Sequence, residues 1–320
     1  MKILGIDTSN YTTSFAWLDT ERQSVTHAKQ LLPVPEGSAG LRQSDAVFHH
    51  VRQLPLLYKR LTEQIGEPLH PDAIGVSVTP RSQEGSYMPC FLAGISVARI
   101  LAETIDTPLY ETSHQTGHIM AALFSSGCMN WLDKNAPPFL AFHVSGGTTD
   151  CVLCIRDDDS VIRIEPVSGS LDLKAGQAID RIGLMLGLKF PCGAALEQLA
   201  AESTSNAKMR IVLREGSCSL SGLQNQCEAM LRKGKTVADI ARYTLNSVAS
   251  AIRMMTDAAV EKTGASSVLY AGGVLSDKLI QDYLCRNDLK TAFSEPAFSC
   301  DNAAGVALYA ARMEGVSCQF

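Results

Sequence analysis

At 320 residues the chain exceeds the ~250–300 residues that one hydrophobic core usually serves, so two lobes are predicted. A formal net charge of −5 and a pI near 5.8 argue against a protein that binds nucleic acid through an overall positive charge alone. The ten cysteines have no regular spacing and no signal peptide is visible, which favours reduced thiols in a cytoplasmic protein. No apolar run reaches the ~20 residues of a membrane span, so the sequence predicts a soluble protein.

A β-rich run, a small polar turn and a second β-rich run occur twice in the chain. The first copy reads ILGIDTSNYTTSFAWL from Ile3, and the second reads FLAFHVSGGTTDCVLCI from Phe139 to Ile155. The pattern predicts two hairpins with hydroxyl-rich tips. Glycine lets backbone N–H groups approach an anion and threonine adds donors, so each tip is a candidate phosphate site, the alternative being an ordinary hairpin turn. Two copies in two halves favour a duplicated nucleotide-binding fold.

The first half continues with alternating helices and strands. Residues 20–45 are mixed and loop-rich. The segment after them has apolar residues at helical spacing, and we expect a cap at Ser44 or Asp45, a kink at Pro55 and an end at Gly66. The next predicted elements are a strand at Ala73–Val78, a helix at Phe91–Ile105, a short strand in TPLYETS and a helix that begins with HQTGHIMAALF.

The second half repeats this alternation. The second hairpin continues toward Ile164 through a turn at Asp157 to Ser160. Further predicted elements are helices at Lys174–Gly187, Gly193–Glu202 and Thr236–Gly264, the strand SSVLYAGGV that ends in Gly272 and Gly273, and a last helix capped by Asp301 or Asn302. Strands that alternate with helices indicate an α/β fold.

Two histidines, His114 and His118, stand four residues apart in SHQTGHIMAAL. On a helix their imidazoles share one face, which is a common way to present two nitrogen ligands to one metal ion. The alternative is that Ser113 caps the helix and the histidines are ordinary polar residues of its first turn. A metal would need a third ligand that carries oxygen, and Asp301 before the last helix is the candidate, with plain N-capping as its alternative. Gln115 replaces the glutamate of the HExxH signature, which disfavours proteolysis.

Taken together, these segments resemble the family of tRNA threonylcarbamoyladenosine transferases, formerly called O-sialoglycoprotein endopeptidases. The resemblance covers most of the chain in one order: GIDTSNYTTS, HHVRQLPLL, SHQTGH, VSGGTTD, AGQAIDRIGLMLGLKFPCGAALEQLA, SLSGLQNQ, AGGV and CDNAAGVALYA. It implies an α/β, two-lobed, duplicated actin-like ATPase fold of the sugar kinase, actin and heat-shock chaperone superfamily, with a cleft between the lobes. The implied lobes are 1–135 and 136–320, and the last helix, about 301–314, is expected to pack back on the first lobe.

The same resemblance implies a catalytic divalent metal ion held by His114, His118 and Asp301. The family suggests iron, and zinc or magnesium are the alternatives. It also implies contacts with an adenylate or ATP from ten residues, namely Val144, Ser145, Gly146, Gly147, Thr148, Asp180, Gly193, Gly272, Gly273 and Asp277. Asp180 is expected on a loop, where a carboxylate can hold ribose hydroxyls.

Family members transfer a threonylcarbamoyl group from its mixed anhydride with AMP to the exocyclic amine of an adenosine next to the tRNA anticodon. The implied partners are tRNA, a shorter paralogous subunit and a small ATPase, in a homodimer or heterodimer without a membrane. The chain departs from the family pattern at Tyr11, Thr12, Thr148, Leu173 and Asp277. The open alternatives are a divergent paralogue that works as an ATP-dependent carbamoyltransferase or kinase, and a non-catalytic nucleotide-binding subunit.

Overall fold

The computed structural model describes residues 1–9, 11–33, 41–299, 302–316 and 318. It divides the chain into two compact units. Unit 1 comprises Met1–Lys134, Arg156–Ile162 and Ala297–Phe320, and unit 2 comprises Asn135–Ile155 and Arg163–Pro296. Each unit contains one five-stranded sheet with helices packed on it, so the predicted α/β class is confirmed. No helix in the described part of the chain is long and apolar enough to cross a membrane.

The strands, in chain order, are β1 (Lys2–Asp7), β2 (Thr12–Asp19), β3 (Ser24–Leu31), β4 (Ala73–Thr79), β5 (Leu109–Ser113), β6 (Phe139–Val144), β7 (Thr149–Asp157), β8 (Val161–Gly169), β9 (Ser267–Ala271) and β10 (Lys290–Phe293). The helices are α1 (Gln43–Ile65), α2 (Phe91–Ile105), α3 (His114–Ser125), α4 (Ala175–Met185), α5 (Gly193–Ala201), α6 (Ser221–Arg232), α7 (Val237–Thr263), α8 (Lys278–Leu284), α9 (Pro296–Ser299) and α10 (Ala303–Met313).

The two sheets have the same strand order. In unit 1 the order is β3-β2-β1-β4-β5, and in unit 2 it is β8-β7-β6-β9-β10. In both sheets the first two strands form an antiparallel hairpin and the fourth strand pairs parallel to the first. Both predicted hairpins are therefore present, and the repeated order supports a duplicated fold.

Two sequence expectations for unit 1 are wrong. The segment predicted as loop-rich contains β3, an edge strand that pairs with β2 along its whole length. The predicted cap of α1 at Ser44 or Asp45 is also wrong, because the N-cap position is Arg42 in an extended conformation. The expected end is correct, since Gly66 closes α1 with a φ of 80°, a left-handed conformation that favours glycine.

Helix α10 packs on the first sheet with its backbone unusually close to the strands. A Cβ at Gly5 of β1 would lie 2.0 Å from the carbonyl oxygen of Ala303, and one at Gly75 of β4 would lie 2.5 Å from that of Val306. Side chains larger than hydrogen are therefore excluded at both strand positions. This contact places the start of α10 near the carboxyl ends of β1 and β4.

Candidate functional site

The histidine pair opens helix α3, which follows β5 directly. Ser113 caps the helix, because its hydroxyl oxygen accepts the N–H of Thr116 at 3.1 Å. His114 and His118 are both half-buried, and their Nε2 atoms lie 3.0 Å apart. The structure therefore places the Nε2 atoms of the two predicted metal ligands side by side on one face of the helix.

A buried carboxylate lies behind the pair. Asp7 is the last residue of β1 and is 1% exposed. Its Oδ1 lies 3.2 Å from Nδ1 of His114 and accepts the hydroxyl of Ser77, while its Oδ2 accepts the hydroxyl of Ser9 at 2.7 Å. Burial alone would raise the pKa of Asp7, but the charge of His114 and the hydrogen bonds from His114, Ser77 and Ser9 outweigh it and lower the pKa to about 2. Asp7 is therefore ionised at neutral pH.

Asn302 completes this cluster from the residue before α10. It occupies the N-cap position of that helix, but its side chain makes no capping hydrogen bond. Its amide instead donates to the carbonyl oxygen of His114 at 2.9 Å and to Oδ1 of Asp7 at 3.3 Å. The predicted third ligand, Asp301, lies outside the described residues, so its role stays a prediction.

In unit 2 the SGGT turn closes the hairpin of β6 and β7. The N–H of Ser145 donates to the carbonyl oxygen of Thr148 at 2.8 Å. Gly146 and Gly147 lie at the tip, and a Cβ on either one would have no neighbour within 4 Å. Helix α4 begins directly against this tip, since a Cβ on Gly176 would lie 2.7 Å from the Cα of Gly146. The tip is thus supported on one side and open on another.

Asp180 lies within helix α4, four residues after Gly176, as the predicted helix at Lys174–Gly187 implies, and not on a loop as expected for its contact with ribose. Its Oδ1 accepts the N–H of Cys192 at 2.9 Å, the residue just before Gly193 at the start of α5. No other hydrogen bond to the carboxylate occurs within the described ranges, so Oδ2 is unengaged there. Asp180 therefore fixes the start of α5 with one oxygen.

The Gly272–Gly273 turn meets the same end of β6. Gly272 has a φ of 105°, and a Cβ there would lie 2.3 Å from the carbonyl oxygen of Val144. Only glycine fits this position, because both the backbone conformation and the available space exclude a side chain. Val144, the SGGT tip, the start of α4 and the Gly272 turn are therefore assembled at one end of the sheet.

Asp277 follows this turn and caps helix α8. Its Oδ1 accepts the N–H of Ile280 at 3.1 Å, and the residue is 8% exposed. Burial raises the pKa of Asp277 to about 6, and the charge of Glu197 adds to the effect although backbone hydrogen bonds oppose it. The structure gives this residue a capping role, and a contact with a nucleotide stays a prediction.

A family model described as tRNA N6-adenosine threonylcarbamoyltransferase matches residues 29–308. The chain belongs to this family. The resemblance inferred from the ordered motifs is thereby confirmed.

Curated relatives with the same family name align with this chain over nearly its whole length. A tRNA N6-adenosine threonylcarbamoyltransferase of Thermus thermophilus is 29% identical over 315 residues, which are 98% of this chain and 93% of the relative. One from a Sulfurihydrogenibium species is 30% identical over 318 residues, or 96% of this chain and 89% of the relative. The family assignment is therefore not limited to a single segment.

Solved structures of other proteins share the fold. Full-length HypF matches with a TM-score of 0.60 and 14% identity, covering 100% of this chain and 56% of that chain. Component A of the Acidaminococcus fermentans (R)-2-hydroxyglutaryl-CoA dehydratase matches with a TM-score of 0.55 and 18% identity, covering 98% of this chain and 99% of that chain. The ROK hexokinase of Thermus thermophilus matches with a TM-score of 0.51 and 14% identity, covering 98% of this chain and 99% of that chain. These likenesses confirm the predicted actin-like ATPase and sugar kinase fold.

The histidine pair fits two positions of a metal site. Two nitrogen ligands ~2.1 Å from one cation lie ~3.0 Å apart when they subtend a right angle, which matches the Nε2 separation of 3.0 Å. The same separation is also that of a hydrogen bond between two imidazoles. Within the described ranges no group of three or more His, Cys, Asp or Glu side chains could hold a metal ion. The pair therefore needs a further ligand, and the metal belongs to the proposals.

Three residues of the histidine cluster were missed in the sequence: Asp7, Ser77 and Asn302. One signal was available, because Asp7 ends a buried strand at the edge where α/β folds place ligands. The other two carry no local signal, since Ser77 is a small residue within strand β4 and an asparagine before a helix, such as Asn302, is an ordinary capping residue. Their convergence depends on which strands become neighbours.

The pKa of Asp277 leads to a testable pH dependence. Because the folded pKa, about 6, lies above the ordinary value of 3.8, the unfolded chain ionises first as the pH rises. The contribution of Asp277 to the free energy of unfolding is therefore fully present below pH ~4 and is lost as the pH rises through ~6. Asp277→Asn keeps an oxygen for the cap and removes this loss, so the ligand-free variant should be more stable at pH 7.5 by about 3 kcal/mol and equal at pH 4.

Urea unfolding of both proteins at several pH values measures this effect. Asp282→Asn, an exposed position on the same helix, is the matched control and should follow the wild-type pH dependence. Identical pH profiles for Asp277→Asn and wild type would contradict the assignment of Asp277 as a buried, unfavourably ionised cap.

Proposed function

We propose that this chain transfers a threonylcarbamoyl group from its mixed anhydride with AMP to the exocyclic amine of an adenosine next to the anticodon of tRNA. The observation that carries the proposal is the family match over residues 29–308. The hydrogen-bonded histidine cluster of unit 1 and the open glycine tip of unit 2 support it. In the reaction the amine nitrogen bonds to the acyl carbon, the bond from that carbon to the phosphate oxygen breaks, AMP leaves, and the amine loses one proton.

In unit 1, His114 and His118 would hold the metal ion together with Asp301. The bound cation supplies a Lewis acid that polarises the acyl carbonyl. The imidazoles must present unprotonated Nε2 atoms for this purpose, and the half-buried setting of the pair limits competition from water. We propose iron as the metal on the family's precedent, with zinc and magnesium as the alternatives.

In unit 2, the residues at the end of β6 would bind the adenylate. We propose that the backbone N–H groups of the Ser145–Thr148 tip donate to the α-phosphate, where glycine leaves room for close approach. The second oxygen of Asp180 would accept a ribose hydroxyl, and Gly193, Gly272 and Gly273 would allow the backbone to lie against the nucleoside. Asp277 would have to face the ribose, since its charge would repel phosphate.

The transfer assay tests this proposal directly. The chain is incubated with ANN-decoding tRNA, threonine, bicarbonate, ATP, the enzyme that makes the adenylate and the accessory proteins, and the digested tRNA is analysed by mass spectrometry. We expect N6-threonylcarbamoyladenosine to form only when the chain is present. Its absence in the complete mixture would contradict the proposal, and phosphate release without tRNA would favour a kinase or ATPase.

A matched glycine variant isolates nucleotide binding from folding. Gly147→Val adds a Cβ at a position where, apart from the adjacent residues, nothing lies within 4 Å of that atom. We therefore expect an unchanged melting temperature together with an affinity for ADP that falls at least ~10-fold, measured by calorimetry. An unchanged ADP affinity in the folded variant would place the phosphates elsewhere. Gly222→Ala, at another open glycine on α6, is the control for ADP affinity and should keep the wild-type value.

We also propose the partners that the family implies. The tRNA is the acceptor, and the shorter paralogous subunit and the small ATPase act with the chain in the cytoplasm. The net charge of −5 supports shared binding of tRNA, because the chain alone offers little attraction for a polyanion. Reconstitution with and without each accessory protein tests this, and full activity of the chain alone would contradict it.

A further inference from the structure

We propose that Arg242 is a specificity-determining residue of unit 2, whose guanidinium donates hydrogen bonds to ring nitrogens of the adenine base. The inference rests on the proposed function, because it names a group that recognises the base of the adenylate. Arg242 lies in the second turn of α7, a helix that contributes no other residue to the proposed nucleotide site.

The guanidinium of Arg242 is half-buried and lacks a partner. Its Nε atom is buried without a hydrogen bond, and no hydrogen bond or ion pair of its terminal nitrogens occurs among the residues that the structure describes. A buried donor without an acceptor costs stability, and native proteins keep few such groups. Because a guanidinium has five N–H donors and no acceptor, Arg242 is suited to a ligand that supplies acceptors.

Arg242 lies beside elements that carry the proposed nucleotide site. Helix α7 packs against α5 and against α8, which follows the glycine turn after β9. Burial raises the pKa of Asp277 at the start of α8, and the negative charge of Glu197 on α5 adds to the rise. The positive charge of Arg242 opposes it, so these three charges lie near one another. Glu197 also accepts the N–H of Lys278 at 2.8 Å, which joins α5 to the start of α8.

The charges around Arg242 favour a neutral base over a phosphate. Two carboxylates, those of Asp277 and Glu197, outnumber the one guanidinium, so a phosphate would meet net repulsion. Arg242 forms an ion pair with neither of them within the described ranges. An adenine ring satisfies both kinds of group, because its ring nitrogens accept hydrogen bonds while its exocyclic amine donates to a carboxylate. The charge balance therefore points to the base end of the nucleotide.

The variant Arg242→Met separates recognition of the base from a packing role. Methionine keeps an unbranched apolar stem and removes the five N–H donors. We expect the affinity for ADP, measured by calorimetry, to fall ~10–100-fold. The affinity for pyrophosphate, which has no base, should be unchanged. Arg232→Met, at an exposed arginine that ends α6, is the matched control and should keep both wild-type affinities.

Thermal melting of the ligand-free protein at pH 5 gives the second readout. This pH lies below the pKa of Asp277, which is about 6, so the lost positive charge is not set against an ionised Asp277. We expect Arg242→Met to melt no lower than the wild type, because the variant removes a buried donor that has no acceptor. A lower melting temperature would assign Arg242 to packing and overturn the inference.

The binding measurements can also overturn it. Equal ADP affinity in Arg242→Met and wild type would mean that the guanidinium does not contact the base. A parallel loss of pyrophosphate affinity would assign Arg242 to the phosphates. Failure of the wild type to bind ADP would contradict both the inference and the proposed nucleotide site. Failure of tRNA modification with all the expected binding results in hand would contradict the proposed function alone.

Discussion

Replacement of His114 by alanine is expected to lower the rate of threonylcarbamoyl transfer by ~10²–10³-fold, which corresponds to about 3–4 kcal/mol of barrier. The substitution removes one of the two nitrogen atoms that lie 3.0 Å apart, so the proposed cation loses a ligand. It also removes the imidazole that faces the buried carboxylate of Asp7. We expect His118→Ala to lose metal as well, while it leaves the contact between Asp7 and His114 in place.

Metal content by elemental mass spectrometry and the rate of adenosine modification measure this prediction together. His70→Ala, an exposed histidine of the same unit, is the control for the substitution itself. Thermal melting of each variant separates the chemical effect from unfolding. If both His114→Ala and His118→Ala retain stoichiometric metal, the assignment of the metal to this site is wrong, whatever the activity of the variants.

The elements with strong local patterns were predictable from the sequence. The hairpins of β1 with β2 and of β6 with β7 are short apolar runs around polar turns, and the structure pairs each of them antiparallel. The close of α1 at Gly66 was predictable for the same reason, because a glycine after a periodic segment supplies the left-handed residue that ends a helix.

Strand β3 was not predictable from the local sequence pattern. Only Ala28 of its eight residues is buried, so alternation of apolar and polar residues is too weak to signal a strand. Its conformation comes from pairing with β2, a tertiary effect that overrides local composition. Elements α6, α8 and β10 were also missed, and the latter two are short, with seven and four residues.

The candidate site was predictable only to the extent that it is local. His114 and His118 are related by one helical turn, which spacing alone reveals. Asp7 and Ser77 instead become neighbours because β1 and β4 pair in parallel, with Ile6 opposite Val76 one position earlier. That register is a property of the folded sheet, and no single segment of the sequence contains it. The cluster therefore emerged only from the structure.

The second large effect is expected for Gly305→Ala, which should destabilise unit 1 by about 3 kcal/mol. Gly305 lies on α10, and a Cβ there would be 1.8 Å from the carbonyl oxygen of Gly117 and 3.0 Å from the backbone nitrogen of Ala121, both on α3. The obstacle is backbone, which cannot rotate away as a side chain would. The two helices must therefore move apart.

That movement would act on the histidine cluster, because α3 carries His114 and His118 while the residue before α10 is Asn302. We therefore expect Gly305→Ala to lower both the urea midpoint and the affinity for Co²⁺. The control is Gly222→Ala, where a Cβ meets nothing within 4 Å and alanine should stabilise the helix by up to ~1 kcal/mol. A Gly305→Ala protein with the wild-type midpoint would mean that α3 and α10 do not depend on this backbone contact, and the cluster would then need another support.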